Sequence, residues 1–223
     1  MSRSPAQPHP PRLDPVDPTR IPLEAVTALE VHAGDTLAGR ALDRLDLSDR
    51  DLGGLTLDEC LVTDVELGGA QLRGHTFRES RLERVSAAAL RGSRAHWRDV
   101  ELHGSRLGSA ELYDSAWEGV LVADSKLGFL NLRGSKLRDV RIVNCQIEEL
   151  DLSDCGVTRL ELSGCRVDRL DVTGAKLSHV DLRGLEVRQI DGLRGLAGAT
   201  VSGQQAAMLA ELFAREIGIT VLG

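Results

Sequence analysis

Large apolar side chains recur every five residues along most of the chain. From Leu42 to Val187, 30 positions have numbers ending in 2 or 7, and 28 of them carry Leu, Val, Ile, Trp or Phe. A helix requires a period near 3.6 residues and a strand a period near 2. A period of five that keeps its phase over about 150 residues instead predicts a repeat architecture whose chain turns a corner after every unit.

The remaining positions of each unit are also restricted. Positions ending in 0 or 5 carry small or aliphatic residues, with Arg40, Arg50 and His75 as exceptions. Positions ending in 4 or 9 favour Gly, Asp and Asn, which tolerate the left-handed backbone of a sharp corner. Each unit therefore has two inward residues, one corner and a polar outer edge. We expect His75 to be a hydrogen-bonded core residue rather than a metal ligand.

Four corners close a square coil of four units, and the aromatic residues support this length independently. Phe77, Trp97 and Trp117 recur at every fourth unit, so the pattern predicts that they stack as one ladder inside the coils. Thirty units make 7.5 coils, which at the strand spacing form a rod on the order of 36 Å long.

Ala87 and Gly92 are the two breaks in the apolar pattern, and they share a coil with Trp97. Two interpretations fit. The small residues compensate for the volume of the indole in a close-packed interior, or they mark a bulge or loop used for binding. The five-residue phase survives on both sides, which favours compensation.

Units such as LDLSD, LELSG and LNLRG resemble those of pentapeptide-repeat proteins. The resemblance covers roughly residues 40–191 and implies a right-handed quadrilateral β-helix. The predicted fold class is therefore an all-β solenoid of this kind with a C-terminal α-helix.

The chain divides into four predicted segments. All seven prolines lie at or before Pro22, and residues 1–20 are polar and Pro-rich. Such a segment buries too little apolar surface to order itself, so we expect a disordered tail, with a docking motif as the alternative. Residues 21–40 form an N-terminal cap segment, 41–191 the repeat solenoid, and 192–223 a C-terminal cap and dimerisation segment.

The end of the chain has helix signals. Ser202 and Gln205 have the spacing of a capping box, and Gly218 suits the C-terminal end of a helix, so we predict a helix over 203–217 followed by a short strand, ITVLG. Its apolar stripe comprises Met208, Leu209, Leu212, Phe213 and Ile217. The helix either covers the open end of the solenoid or forms a homodimer contact. We expect the dimer, because the apolar surface exceeds what one coil end needs.

The stretch from Gly195 to Gly223 is similar to the C-terminus of quinolone-resistance pentapeptide proteins of the Qnr and MfpA type. The shared residues are Gly198, Gln205, Leu209, Gly218, Ile219, Val221 and Gly223. This resemblance also implies dimerisation through the C-terminal helix.

Signals of catalysis are missing from the sequence. It contains no GxSxG, HExxH, GxGxxG or GxxxxGK motif, and its histidines form no ligand cluster. The four cysteines occupy inward positions, where we expect reduced core residues, although Cys145 and Cys165 are one coil apart and within reach of a disulfide. We therefore predict no enzyme activity, no cofactor and no metal. Without a signal peptide or a membrane-spanning apolar run, we expect a cytoplasmic protein.

The surface is the remaining source of function. The net charge of −7 disfavours direct nucleic-acid binding. One outward column of the coils, called here the acidic column, contains Glu111, Asp151, Asp171 and Asp191. Stacked like charges are destabilising, which suggests a role in partner binding, although arginines are interspersed around them.

Two functions follow. The first is a non-enzymatic module that binds a protein partner through the faces of its solenoid. The second is implied by the Qnr resemblance: a mimic of duplex DNA that binds a type II topoisomerase, DNA gyrase, and modulates or protects it.

Overall fold

The chain folds as a parallel β-solenoid, which a computed structural model describes over residues 7–216 and 218–221. Within these residues, sixteen strands form one sheet that winds through about nine turns and is followed by one α-helix. The strands are β1 (Glu24–Ala25), β2 (Thr36–Ala38), β3 (Arg40–Asp43), β4 (Thr56–Asp58), β5 (Leu61–Thr63), β6 (Thr76–Glu83), β7 (Ser86–Arg91), β8 (His96–His103), β9 (Arg106–Glu111), β10 (Ala116–Ala123), β11 (Lys126–Asn131), β12 (Lys136–Val143), β13 (Gln146–Asp151), β14 (Gly156–Asp171), β15 (Lys176–Asp191) and β16 (Ala199–Thr200). The helix α1 spans Gly203–Glu216, and short 3-10 helices cover Pro18–Arg20, Ala28–Glu30 and Leu193–Leu196.

From β2 to β15, neighbouring coils pair at a spacing of four five-residue units, with one irregularity at Ser163 between β14 and β15. Trp97 pairs with Trp117, and Leu130 with Leu150, across parallel strands. Positions ending in 2 or 7 between Leu42 and Val187 are buried except Leu177 and Val187, which lie half-buried in the last coil. The predicted coil length and the predicted fold class are confirmed.

Three of the four corners use left-handed backbone, as the Gly, Asp and Asn residues predict. Asp64, Asp99 and Asp114 have φ values of 53°, 54° and 56° at these corners. The fourth corner is left-handed only at Asp49 and Gly69. From there on it is occupied by Ala89, Ser109, Phe129, Glu149 and Arg169. These later corners have no positive φ, so residues that avoid left-handed backbone can occupy them. Strands such as β13 continue across the corner for the same reason.

The three aromatic residues stack inside the solenoid as predicted. The ring centroids of Phe77 and Trp97 are 5.7 Å apart, and those of Trp97 and Trp117 are 4.5 Å apart with parallel planes. His75 is also buried, and its Nε2 accepts a hydrogen bond from Trp97 Nε1 at 2.8 Å. Its Nδ1 lies 2.6 Å from the carbonyl oxygen of Leu72, so Nδ1 carries the proton and donates it. His75 is the hydrogen-bonded core residue that we expected.

Gly92 is small because His75 occupies the adjacent space. A Cβ atom at Gly92 would lie 2.9 Å from Cε1 of His75 and 2.8 Å from a methyl group of Leu112. Volume compensation is therefore correct, but at Gly92 it accommodates the imidazole that binds Trp97 rather than the indole itself. No bulge interrupts the pairing of Ala87 with Leu107, which excludes the loop interpretation at that position.

Trp117 lacks the hydrogen bond that Trp97 makes. Its Nε1 is buried and has no partner among the described residues. The position one coil above His75 is Ala95, which offers no side-chain acceptor. The second indole of the ladder is thus held by stacking and burial alone.

The small inward residues satisfy backbone groups at the corners. The Ser105 hydroxyl accepts a hydrogen bond from the Val85 N–H at 3.1 Å, and the Ser115 hydroxyl accepts one from the Ala95 N–H at 2.8 Å.

All four cysteines are free and buried. The thiol of Cys155 donates to the Leu132 carbonyl at 2.9 Å, and burial raises its pKa to about 12. These thiols are core residues, and Cys145 and Cys165 form no disulfide.

The solenoid begins earlier than residue 41. Strand β1 pairs with β3, and β2 pairs with β4. Val26, Val31 and Leu37 contribute to the core, but one extra residue between Val31 and Leu37 breaks the five-residue phase. Two cations at inward positions stabilise this first coil, with Arg40 bound to the Glu24 carboxylate and Arg50 to the carbonyl of Ala28.

Residues 7–20, called here the strap, are ordered against the solenoid, in contrast to the predicted disordered tail; residues 1–6 lie outside the described residues. Pro11, Val16 and Pro18 are buried. The strap needs no core of its own because its apolar residues are buried against the surface of the coils. Its prolines also restrict the unfolded backbone, which lowers the entropic cost of ordering it.

The C-terminal helix follows its sequence signals. Gln205 Oε1 accepts from the Ser202 N–H at 2.7 Å, and the Gln205 N–H donates to the Ser202 hydroxyl at 3.2 Å, which is the predicted capping box. Gln205 Nε2 also donates to the carbonyls of Leu182 and Leu185 and so fixes α1 to the last coil. Gly218 has the expected left-handed conformation, with φ of 82°.

The predicted strand after Gly218 is not formed over its described part. Ile219, Thr220 and Val221 have no strand partner, and residues 222–223 lie outside the described residues. The edge of the last coil instead pairs with β16, through Val180 and Asp181.

Trp97→Phe and Trp117→Phe provide a matched test of the indole hydrogen bond. Both variants remove the same volume, but only Trp97→Phe leaves the Nε2 of His75 buried without a donor. We expect Trp97→Phe to lower the free energy of unfolding by about 1–3 kcal/mol more than Trp117→Phe. Urea denaturation followed by circular dichroism measures the difference, and equal losses would contradict the assigned role of His75.

His75 should make the solenoid sensitive to acid. Burial lowers its pKa from 6.5 to about 4. The unfolded chain therefore takes up a proton between these values while the folded chain does not, so stability is full above pH 6.5 and falls as the pH drops towards 4. The expected loss is about 3 kcal/mol.

His75→Gln keeps a side-chain acceptor for Trp97 and removes the titration. Its free energy of unfolding should change less between pH 7 and pH 4.5 than that of the natural chain. The exposed His32→Gln serves as the control and should leave the pH dependence unchanged.

Candidate partner-binding surfaces

Over the described residues, the interior of the solenoid is filled by packed side chains. Among the residues described, no three His, Cys, Asp or Glu side chains lie close enough together to hold a metal ion. No described helix has both the length and the hydropathy to cross a membrane. The outer faces and the two ends are the surfaces left for binding.

The acidic column is a continuous stack of adjacent coils. Glu111 pairs with Asn131, Asn131 with Asp151, Asp151 with Asp171, and Asp171 with Asp191. The four acidic side chains are all half-buried. The structure therefore brings together the residues that the sequence predicted to lie on one face.

Two of the four acidic side chains also stabilise their own turns. The Asp151 carboxylate accepts a hydrogen bond from the Ser153 N–H at 2.8 Å, and the Asp171 carboxylate accepts one from the Thr173 N–H at 2.8 Å. Asn131 makes the same bond, to the Arg133 N–H at 3.1 Å, without a charge. A carboxylate that accepts from its own turn offsets part of the repulsion between stacked like charges.

Asp191 differs because its partners come from the neighbouring corner. Arg169 Nε donates to it at 2.6 Å and Gln189 Nε2 at 3.1 Å. The hydrogen bond from Arg169 is the main reason that the pKa of Asp191 is lowered. The C-terminal end of the column is thus partly neutralised.

Ion pairs between coils occur on the other faces as well. Arg84 binds Asp64 at 2.7 Å, and Arg141 binds Glu161 at 3.0 Å. Each pair joins side chains one coil apart, and together they make the surface a mixture of both charges. The acidic column is therefore a local stripe on a mixed surface.

The predicted dimerisation residues divide between the core and the surface. Leu209 is buried and Leu212 is half-buried, whereas Met208 is 68% exposed and Phe213 is 37% exposed. Ile217 lies outside the described residues. Ile219 and Val221, which follow α1, are also exposed. Leu209 packs against the core and covers the end of the solenoid. Met208, Phe213, Ile219 and Val221 remain exposed.

Sequence reasoning missed the residues that hold the strap. Glu101 and Asp139 accept hydrogen bonds from its backbone. Neither residue breaks the five-residue pattern. The available signal was Leu13 and Val16, two aliphatic residues within the Pro-rich segment.

Comparison with known proteins places the fold among solved structures. No protein-family model and no curated protein matches the chain. A trypsin-treated form of QnrB1, described as a plasmid-mediated fluoroquinolone resistance protein, is similar with a TM-score of 0.51 and 17% identity, covering 90% of this chain and 100% of that one. Full-length QnrB1 gives a TM-score of 0.44 and 16% identity, covering 88% and 95%. The first likeness supports the Qnr-like pentapeptide-repeat fold and, at this identity, the fold alone.

Substitutions at Asp171 separate its charge from its role in the turn. Asp171→Ala removes the acceptor of the Thr173 N–H and should lower the free energy of unfolding by about 1 kcal/mol. Asp171→Asn keeps an acceptor and removes a stacked charge, so it should leave stability unchanged or slightly raised. Thermal unfolding compares the two. If Asp171→Asn were as damaging as Asp171→Ala, the carboxylate would matter through its charge.

Proposed function

We propose that the chain is a non-catalytic pentapeptide-repeat module that binds a protein partner through the outer faces of its solenoid. The packed interior carries this proposal, because it leaves only the faces and ends for recognition. Flat faces repeated over many coils suit an extended contact with another protein. The four free thiols are consistent with a reducing, cytoplasmic location.

The module acts as a homodimer through its C-terminal end. Met208, Phe213, Ile219 and Val221 are four exposed apolar residues within the last fourteen positions of the described chain. Exposed apolar patches of this kind mark interaction sites. A two-fold contact would join the two rods end to end and bring the Asp191 ends of both acidic columns towards the centre.

Mimicry of duplex DNA is the second candidate, with a type II topoisomerase such as DNA gyrase as the partner. The net charge of −7, the acidic column and the fold shared with a fluoroquinolone resistance protein support it. Acidic columns would be attracted to a basic DNA-binding groove. The ion-paired arginines beside the column weigh against it, because they reduce the negative potential.

Phe213→Asp tests the dimer. The natural chain should be dimeric in light scattering at tens of micromolar protein, and Phe213→Asp should be monomeric with an unchanged circular dichroism spectrum, because a charge cannot be buried in an apolar contact. Ala210→Asp adds the same charge at another exposed position of α1 and should remain dimeric. A monomeric natural chain would overturn the dimer.

Purified DNA gyrase tests the mimic. The protein should protect supercoiling from a fluoroquinolone, and the double variant Asp151→Asn with Asp171→Asn should require about tenfold more protein for the same effect. Asp46→Asn is the matched control, because Asp46 also accepts from its own turn, at the Ser48 N–H, but lies outside the column. No effect of the natural protein on gyrase would exclude this function and leave the general binding module.

A further inference from the structure

The strap is held mainly through its backbone. The Arg12 N–H donates to Asp139 Oδ1 at 2.9 Å, and the Val16 N–H donates to Glu101 Oε1 at 3.2 Å. The Arg81 guanidinium donates to the carbonyl oxygen of Val16. These contacts depend on an extended chain and very little on which side chains it carries.

The solenoid residues that receive the strap form a prepared surface. We call Glu79, Asp99, Glu101 and Asp139, together with Arg81, the strap track. Arg159 donates two hydrogen bonds to the Asp139 carboxylate, at 2.5 and 2.6 Å, and Arg81 donates one to Glu101 at 3.0 Å. The side chains of Asp139 and Glu101 are only 9% and 14% exposed. Their carboxylates are therefore fixed in place for the N–H groups of the strap.

The side chains that anchor the strap are few. Val16 is 4% exposed, and Pro11 and Pro18 are also buried. At its N-terminal end, the His9 N–H lies 3.4 Å from Nδ1 of His179, and the two rings are 4.4 Å apart. Another segment with one aliphatic residue and prolines at the same spacing would make the same buried contacts.

Near Glu79 and Asp99, the charges of the strap do not complement the track. Asp14 and Asp17 of the strap line a cavity of about 330 Å³ together with Glu59, Glu79 and Asp99. Arg20, the only cation at this cavity among the described residues, already pairs with Asp17. Burial is the main reason that the pKa of Asp99 is raised; the neighbouring Arg98, 3.5 Å away, lowers it, and the charges of Asp14 and Glu79 raise it. Two carboxylates of the strap thus lie beside carboxylates of the track, although Arg12 and Arg20 leave the strap as a whole without net charge.

We propose that the strap track is a peptide-binding surface, and that an extended basic segment of a partner protein displaces the strap from it. The strap stays in place because it is tethered, which gives it an effective concentration on the order of millimolar. A partner segment with Lys or Arg opposite Glu79 and Asp99 makes the same backbone bonds and adds an attraction that the strap lacks at these two positions. This surface lies apart from the C-terminal dimer contact and from the acidic column, so its test is independent of theirs.

The probe is a labelled peptide with the sequence of residues 7–20 that carries Asp14→Lys and Asp17→Lys. Fluorescence anisotropy with the full-length chain at low salt should show that it binds about tenfold more tightly than the natural strap peptide. A scrambled basic peptide of the same composition controls for attraction to the net negative charge and should bind weakly. Equal binding of the natural peptide, or of the scrambled one, would overturn the proposal.

Variants locate the peptide on the track. Glu79→Gln with Asp99→Asn should weaken binding of the basic peptide severalfold, whereas Glu148→Gln, an exposed carboxylate outside the strap contacts, should not. Val16→Ser in the full-length chain loosens the resident strap and should tighten binding of the basic peptide. A strap with a structural role alone would lower stability in Val16→Ser without changing peptide affinity, which would count against displacement.

Hydrogen exchange reports displacement directly. The Arg12 and Val16 amides of the full-length chain should be protected in the free protein and should exchange faster when the basic peptide is bound. If the peptide binds while both amides stay protected, it occupies another surface and the proposal fails.

Discussion

The structure depends on the constant cross-section of the solenoid. Along the central coils, each side is one five-residue unit and each coil is hydrogen-bonded to the next in the same register, so the interior of these layers has nearly the same width. A large side chain in one layer must therefore be matched by a small one beside it. His75 and Gly92 show this exchange, since the imidazole fills the space that a side chain at residue 92 would occupy.

The same repetition leaves the two ends as the exceptional places in the molecule. A parallel solenoid cannot close on itself, so its terminal coils have open edges and uncovered apolar side chains. The first coil is stabilised by Arg40 and Arg50, and the last by β16, Gln205 and Leu209. The C-terminal cap leaves Met208 and Phe213 exposed, which is why the proposed dimer contact lies there rather than on a face.

Carboxylates accept backbone N–H groups in two places, with different consequences. In the acidic column, Asp151 and Asp171 accept from their own turns, so a stack of acids has a structural explanation before any partner is considered. On the strap track, Glu101 and Asp139 accept backbone hydrogen bonds from the strap, which precedes them by several coils in the sequence. Only the second arrangement uses carboxylates to hold an extended chain that could be exchanged for another.

The sequence alone determined the coils, the aromatic ladder and the capped helix. Each depends on residues at a fixed spacing, and a period of five restricts the chain to one way of burying its apolar residues. The sequence could not determine the hydrogen bond from Trp97 to His75 or the altered fourth corner, because both depend on which side chains meet between coils. It also predicted a disordered strap, because composition measures what a segment can bury by itself. Tertiary structure decided otherwise: Val16 and the prolines pack against the coils, and Glu101 and Asp139 bind a backbone whose hydrogen bonds no sequence pattern records.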